Sequence, residues 1–260
     1  MVGMKGSNIE VLSSISNPKL RRVRELLDRS RARKKEDAFV VEGIRMFREI
    51  PEDRLMETFI SEKFHEENPS IRGSVVKNEV FQKLSDTRTP QGVLTVVRQR
   101  HYALPDILQG KNGLWLILEG IQDPGNLGTM IRTGEGAGIS GIIMDRNTAD
   151  FYSPKTVRST MGAVFRVPFF YTEDLAGTVR EIKKTGITTY AAHLDGKKMY
   201  HEINYADRTA FLIGNEGNGL SDELTSLADI KLRIPMQGQV ESLNAAISAA
   251  LLMYRYMTGR

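Results

Sequence analysis

Five residues of the C-terminal half have types and settings that could do chemistry: Asn126, Arg132, Glu216, Ser242 and Asn244. They fall in three separated segments, each leaving an expected strand through a turn with Gly, Pro or Asn. The segments are Leu118-Glu-Gly-Ile-Gln-Asp-Pro-Gly-Asn126-Leu-Gly-Thr-Met-Ile-Arg132, Phe211-Leu-Ile-Gly214-Asn-Glu216-Gly-Asn-Gly219-Leu-Ser221 and Ile234-Pro-Met-Gln-Gly-Gln-Val-Glu-Ser242-Leu-Asn244. In the first, Asp123-Pro-Gly125 reverses the chain, and Asn126 sits near a helix start, where a side-chain oxygen can cap backbone N–H groups. Arg132 follows, and its guanidinium is a fixed fork of donors suited to phosphate or carboxylate. In the second, Gly214, Gly217 and Gly219 permit positive φ and close approach of a ligand to the backbone, with Glu216 between them. In the third, Ser242 and Asn244 bring a hydroxyl and an amide, one of which reads as a helix cap. Taken alone, Asn126 reads as a cap and Arg132 as a surface cation. Together the turns read as walls of one crevice, because parallel α/β sheets bind ligands outside the carboxyl ends of their strands.

The elements that must position these turns follow from periodicity. Leu114-Trp-Leu-Ile-Leu118 is a fully apolar run, the mark of a central parallel strand. Further strands are expected at Gly141-Ile-Ile-Met144, Val167-Pro-Phe-Phe170, Thr188–Ala192, Ala210-Phe-Leu-Ile213 and Ile230–Ile234, with helices over Leu175–Lys184 and Asp222–Leu227. Strands alternating with helices argue for a parallel sheet covered on both faces. A last helix, roughly Ala245–Met257, is expected to bury Ile247, Ala250, Leu251 and Tyr254. Gly134, Gly136 and Gly138 lie inside a helix, where close packing explains them better than a dinucleotide fingerprint. Asp222 and Glu223 in the first turn of the helix capped by Ser221 disfavour a phosphate there.

Residues 1–98 read as a smaller α/β unit. Asn17-Pro18 opens a helix carrying Leu20, Val23, Leu26 and Leu27. Strands follow at Phe39-Val-Val41, Thr58-Phe-Ile60, Ser74-Val-Val76 and Gly92–Val97, with a helix near Asn78–Leu84. The polar stretch 99–112, with Pro105 and Gly110, reads as a linker, leaving 113–260 as the second domain. The first hundred residues carry 20 Lys/Arg against 15 Asp/Glu, and the remainder 16 against 17. The excess concentrates in Lys19, Arg21, Arg22, Arg24, Arg29, Arg31, Arg33, Lys34 and Lys35, the electrostatic footprint of a polyanion partner or a solvated helix face.

Composition also excludes. The chain has no cysteine, so disulfides and thiolate metal sites are out. The histidines His65, His101, His193 and His201 show no ligand spacing, and no metal is expected. No run of about 18 apolar residues exists to span a membrane. The N-terminus lacks a signal-peptide core, and Ser16-Asn-Pro18 interrupts any amphipathic targeting helix, so a cytoplasmic protein is expected.

With these residues in place, the chain resembles the SpoU-type members of the SPOUT superfamily, the TrmH-like RNA ribose 2′-O-methyltransferases. The likeness covers nearly the whole chain. It rests on Asn126…Arg132, Gly214-Asn-Glu216-Gly-x-Gly219-Leu-Ser221 and Ile234-Pro-Met236 followed by Ser242-Leu-Asn244, together with Ser153-Pro-Lys155-Thr-Val-Arg158-Ser-Thr-Met-Gly162-Ala. Ser16-Asn-Pro-Lys19 through Phe39-Val-Val-Glu42-Gly43 is similar to the substrate-binding domain that many members attach. Gly134, Gly136 and Ala137 depart from the common pattern and bear on helix packing.

The resemblance implies an α/β chain whose parallel-sheet C-terminal domain is tied in a deep trefoil knot, and a homodimer formed through the knotted surface. It implies S-adenosylmethionine held by Gly214, Asn215, Gly219, Ile234, Met236, Ser242 and Leu243. Arg132 is the family's catalytic arginine, with Asn126, Glu216, Ser242 and Asn244 completing the site. RNA contacts fall to Arg21, Arg22, Arg24, Arg31, Arg33, Lys34, Lys35 and Arg158. The substrate class it favours is ribosomal RNA, of the large subunit, with transfer RNA next. An RNA-binding protein that has lost catalysis, and a Rossmann-type nucleotide enzyme, are the alternatives from other classes; the five residues above argue against the first, and the misplaced glycines against the second.

Overall fold

A computed structural model describes residues 11–240 and 242–259. The chain divides after Gln99 into two compact units, with Tyr152–Pro154 grouped with the first.

In the first unit, Asn17 accepts a hydrogen bond from Lys19 N and opens α1 (Pro18–Asp28), with proline in the first turn, where its missing N–H is no loss. α2 (Ser30–Glu36) and β1 (Ala38–Glu42) follow, then a single turn α3 (Ile44–Phe47), β2 (Leu55–Ser61), α4 (Glu62–Glu67), β3 (Ser74–Val76), α5 (Asn78–Leu84) and β4 (Val93–Arg98). The sheet order is β1-β4-β2-β3, antiparallel except for β2 with β3. Alternate side chains go to opposite faces. Phe59, Val76 and Leu94 join Leu20, Val23, Leu26, Phe81 and Leu84, while Ile60, Val75 and Val93 join Phe64 and the partly buried Ile44 and Phe47. Both faces are therefore covered, and the unit has its own core.

The second unit begins with α6 (Leu104–Ile107) and β5 (Gly113–Leu118). It continues through α7 (Pro124–Gly136), β6 (Gly141–Asp145), α8 (Pro154–Thr160), β7 (Phe169–Thr172), α9 (Leu175–Lys184), β8 (Thr188–Ala192), β9 (Lys198–Met199), β10 (Arg208–Ile213), α10 (Asp222–Leu227), β11 (Ile230–Arg233) and α11 (Ala245–Thr258). Its seven strands run in the order β7-β6-β5-β10-β8-β11-β9, and all the pairings are parallel. On one face Trp115, Ile117, Ala210 and Leu212 pack with α6, α9 and α10 residues such as Ile107, Val179 and Leu224. α11 packs against α7 and β10.

Three expectations are corrected. The stretch 99–112 is no free linker: Leu104, Ile107 and Leu108 are buried in the second unit's core, and Trp115 Nε1 donates to Ile107 O at 3.0 Å. Pro105 stands in the first turn of α6, a position that proline suits. The strand expected at 167–170 forms at Phe169–Thr172, after Pro168, which has no N–H to give a ladder. α11 buries Ala245, Ala246, Ala249, Leu252, Met253 and Tyr256, whereas Ile247 and Tyr254 are 50% and 43% exposed and Ala250 and Leu251 half-buried. The helix carries apolar residues on two faces, and the one rich in alanine packs inward.

Candidate active site

Strand ends gather the three turns. β5 and β10 are neighbours, so the turns that leave their carboxyl ends lie side by side. Asp123, not Asn126, caps α7: its Oδ1 accepts from Gly125 N at 2.6 Å and Asn126 N at 2.9 Å. The hydrogen bond from Lys155 Nζ (2.8 Å), then that from Asn126 N, holds the Asp123 carboxyl below the usual range. The Asn126 side chain is thereby free for other work. Its Nδ2 donates to Glu216 Oε1 at 2.9 Å, and its Oδ1 accepts from Asn244 Nδ2 at 3.0 Å. Asn244 is the cap of α11, with Oδ1 accepting from Ala246 N and Ile247 N. One continuous chain of hydrogen bonds thus joins all three turns.

Glu216 is aimed by the second turn. Asn215 Nδ2 donates to Gly120 O at 2.7 Å, and Asn215 Oδ1 accepts from Gly217 N and Asn218 N. The turn closes on an Asn215–Gly219 bridge, with Gly219 at φ 70. A Cβ on Gly214 would lie 2.1 Å from Gly219 C and Leu220 N, so only glycine lets the loop fold back on itself. Glu216 accepts from Asn126 and from the backbone N–H groups of Gln122 (3.2 Å) and Asp123 (3.4 Å). Partial burial alone would raise its carboxyl, but these donors prevail and hold it below the ordinary glutamate value.

Beside this network lies a cavity of about 290 Å³ at the carboxyl ends of β10, β8 and β11. Its lining includes Gly214, Asn215, Gly219, Ile234, Met236, Ser242 and Leu243, all seven residues expected to hold a cofactor. Ile213, Leu220, Leu243 and Met236 give it apolar walls, and Ser242, Ser248 and Glu216 give it polar ones. Among its described lining residues Glu216 and Arg233 carry charge, and the adjacent helix α10 starts with Asp222 and Glu223. An adenosine carrying a sulfonium fits this chemistry, and the acidic start of α10 is no seat for a pyrophosphate. The end of β8, with Ala192, His193 and Leu194, also lines the cavity, and sequence reasoning missed it. The available signal was its place as the strand between β10 and β11, which the sequence does not give.

Arg132 stands on the exposed side of α7, about 9 Å along the helix from Asn126 at 1.5 Å per residue. Among the described residues it bonds to none of Asn126, Glu216 or Asn244. It shares a stripe with Gly128, which packs on Ser159 of α8, and Glu135, which pairs with Arg166 at 2.8 Å. Arg158 is half-buried on α8.

The basic residues of the first unit divide. Arg21, Arg24, Arg31, Lys34 and Lys35 are exposed, although Arg24 pairs with Asp28 at 2.9 Å. Arg22 is engaged with Glu36 at 2.6 Å and Glu57 at 3.7 Å. Arg33 is corrected as an RNA contact: it is 5% exposed, and its guanidinium donates to Leu26 O and Leu27 O, capping the end of α1.

Comparison with known proteins points to one family. The profile of the SpoU rRNA Methylase family matches residues 113–254, and that of an MRM3-like substrate binding domain matches residues 17–95. The chain is 32% identical over 248 residues to the 23S rRNA (guanosine(2553)-2′-O)-methyltransferase RlmP of Bacillus subtilis, covering 94% of this chain and 97% of that one. It is 30% identical over 213 residues to the 23S rRNA (guanosine-2′-O-)-methyltransferase RlmB of Bordetella pertussis, covering 80% and 85%. Among solved structures, an AdoMet-bound rRNA methyltransferase from Sinorhizobium meliloti superposes with a TM-score of 0.84 at 28% identity, over 97% and 98% of the two chains. AviRb of Streptomyces viridochromogenes, a SpoU methyltransferase solved with AdoMet, gives 0.81 at 26% identity over 93% and 97%.

Proposed function

Since the chain belongs to the SpoU rRNA methylase family, we propose that it transfers the methyl group of S-adenosylmethionine to a ribose 2′-hydroxyl of ribosomal RNA. The observation that carries this reading is the chain of hydrogen bonds from Asn244 through Asn126 to Glu216, set against a cavity with apolar walls. The large ribosomal subunit is the favoured source of the RNA, because RlmP and RlmB are named for 23S rRNA. A cytoplasmic location goes with that substrate; among the described residues no helix is long and apolar enough to cross a membrane.

Gly214, Asn215, Gly219, Ile234, Met236, Ser242 and Leu243 hold the cofactor, chiefly through backbone groups. Bound there, S-adenosylmethionine supplies an electrophilic methyl on a cationic sulfur. The chain's own residues do the rest. Asn126, fixed at both ends of its amide, orients the ribose with Glu216 and Asn244. Holding nucleophile and methyl in line is worth several kcal/mol by itself, out of the roughly 7–11 kcal/mol that full pre-orientation can supply. The 2′-hydroxyl must shed its proton as its oxygen attacks. Arg132 is a poor base, with a pKa above about 12. It instead holds the adjacent phosphate and lowers the hydroxyl pKa electrostatically, and that phosphate can take the proton. The exposed cations of α1 and α2 supply further phosphate contacts.

The exposed stripe of α11 is the second part of the proposal. Ile247, Ala250, Leu251 and Tyr254 line an open apolar groove with Tyr200. A groove of this kind, continuous with the helix that caps the active site, is where two copies of the chain pair.

The decisive assay is methyl transfer from labelled S-adenosylmethionine to ribosomal RNA, with the modified position mapped in RNA from cells with and without the gene. Absence of any ribose methylation that depends on the gene would overturn the reading.

A further inference from the structure

The cavity has a charge axis that the family reading leaves unused. Among its described lining residues only Glu216, Arg233 and His193 are ionisable. Glu216 leaves the turn after β10, whereas Arg233 ends β11 and His193 follows β8. β8 lies between β10 and β11, so at about 4.8 Å per strand the two outer strands are roughly 10 Å apart. Arg233 and His193 come side by side, because Leu232 is the register partner of Ala192 and His193 N donates to Leu232 O at 3.0 Å.

His193 is oriented. Its Nδ1 accepts from Asp195 N at 3.1 Å, which places the proton of the neutral ring on Nε2 as a donor. The Asp195 carboxylate lies 3.8 Å from the same Nδ1 but is itself 88% exposed, whereas the imidazole is 28% exposed. A guanidinium and an imidazole thus line the cavity from neighbouring strand ends, and the Glu216 carboxylate lines it from the strand beyond β8.

Resting on the methyl-donor reading above, we infer that Arg233 and His193 form the subsite for the carboxylate of the donor's amino-acid tail. The donor is itself charged in sequence: a sulfonium, then an ammonium and a carboxylate. With its methyl toward the Asn126–Glu216–Asn244 network, where the RNA hydroxyl must arrive, the cationic sulfur would lie on the Glu216 side and the tail would extend toward Arg233 and His193. A carboxylate meeting a guanidinium makes the stronger, charge-assisted type of hydrogen bond. Arg233 and His193 thus select a methyl donor that keeps its carboxylate.

The test is calorimetric titration of the full chain with S-adenosylmethionine and with its decarboxylated analogue, which lacks only that carboxylate. The wild type should bind the intact donor about tenfold tighter or better, as a charge-assisted pair allows. Arg233→Gln and His193→Ala should erase most of that preference while binding the analogue as the wild type does. Arg233→Lys, which keeps the charge, should retain part of it. Equal wild-type affinity for both ligands, or an equal loss on both ligands in Arg233→Gln, would overturn the subsite alone. A wild type that binds neither ligand would bring down the methyl-donor reading with it.

Discussion

Asn126 shows how much a single amide can settle. It was legible in the sequence as a helix-start residue, and the sequence offered capping as its role. Asp123 does the capping instead, which leaves both ends of the Asn126 amide to Glu216 and Asn244. Glu216 can therefore be read by pH. Its native pKa is held below the unfolded value of about 4.3, so its contribution to stability is present above that value and lost as pH falls through the native one. Glu216→Gln should be less stable than wild type at pH 7, with the gap in thermal midpoint closing in acid, below the ordinary glutamate range, as the wild-type carboxyl takes up its proton. A gap that widened in acid would reverse the sign argued here. Arg132 makes the opposite kind of prediction, since it is exposed and outside the network. Arg132→Ala should lose about 100-fold or more in methyl transfer with donor affinity unchanged in a titration; wild-type turnover in that variant would remove it from the chemistry. Arg33 was misread because a basic run does not say which of its members turns inward. Arg33→Ala should destabilise the first unit by about 1–3 kcal/mol, since two carbonyls at the end of α1 lose a charged donor. Replacing Arg31, Lys34 and Lys35 by alanine should leave stability alone and flatten the salt dependence of RNA binding by about one unit per lost phosphate contact.

At the scale of elements, existence and type were mostly legible, and faces and joints were not. The apolar run at β5 and the helix at α9 announce themselves, because strand and helix periods differ. The buried stripe of α11 did not, since Ala245, Ala249, Leu252 and Tyr256 repeat as regularly as the larger residues opposite them. α6 hid inside a polar stretch because Pro105 reads equally as a breaker and as a first-turn residue. The joint between α7 and α8 was also hidden. A Cβ on Gly128 would sit 2.4 Å from Ser159 Cβ and 2.8 Å from Thr156 O, contacts that only glycine avoids. Gly128→Ala should therefore force the two helices apart and cost about 1–3 kcal/mol of stability. Calorimetric melting would show it, and an unchanged midpoint would mean that α8 can yield.

For the whole molecule, the sequence indicated two units and a parallel sheet, but not the strand order that sets β8 between β10 and β11. That order decides which residues reach the cavity, and it depends on pairings between distant parts of the chain that no local pattern records. The α11 groove belongs to this scale as well. On the proposed pairing through this groove, Ile247→Glu together with Tyr254→Glu should sediment as a monomer where the wild type sediments as a dimer, and each chain should keep its fold because neither residue is buried. The hydrogen bonds at the site span 90 residues from Asn126 to Glu216 and 118 from Asn126 to Asn244. An enzyme that modifies ribosomal RNA is itself made residue by residue on a ribosome, and the three turns of its site emerge far apart in that synthesis. A chain cut before residue 244 contains every strand of both sheets but neither the cap of α11 nor the part of the cavity lining that α11 brings, so it should hold no methyl donor. Competence therefore waits for the third turn, and a product cut off before it should not hold the donor.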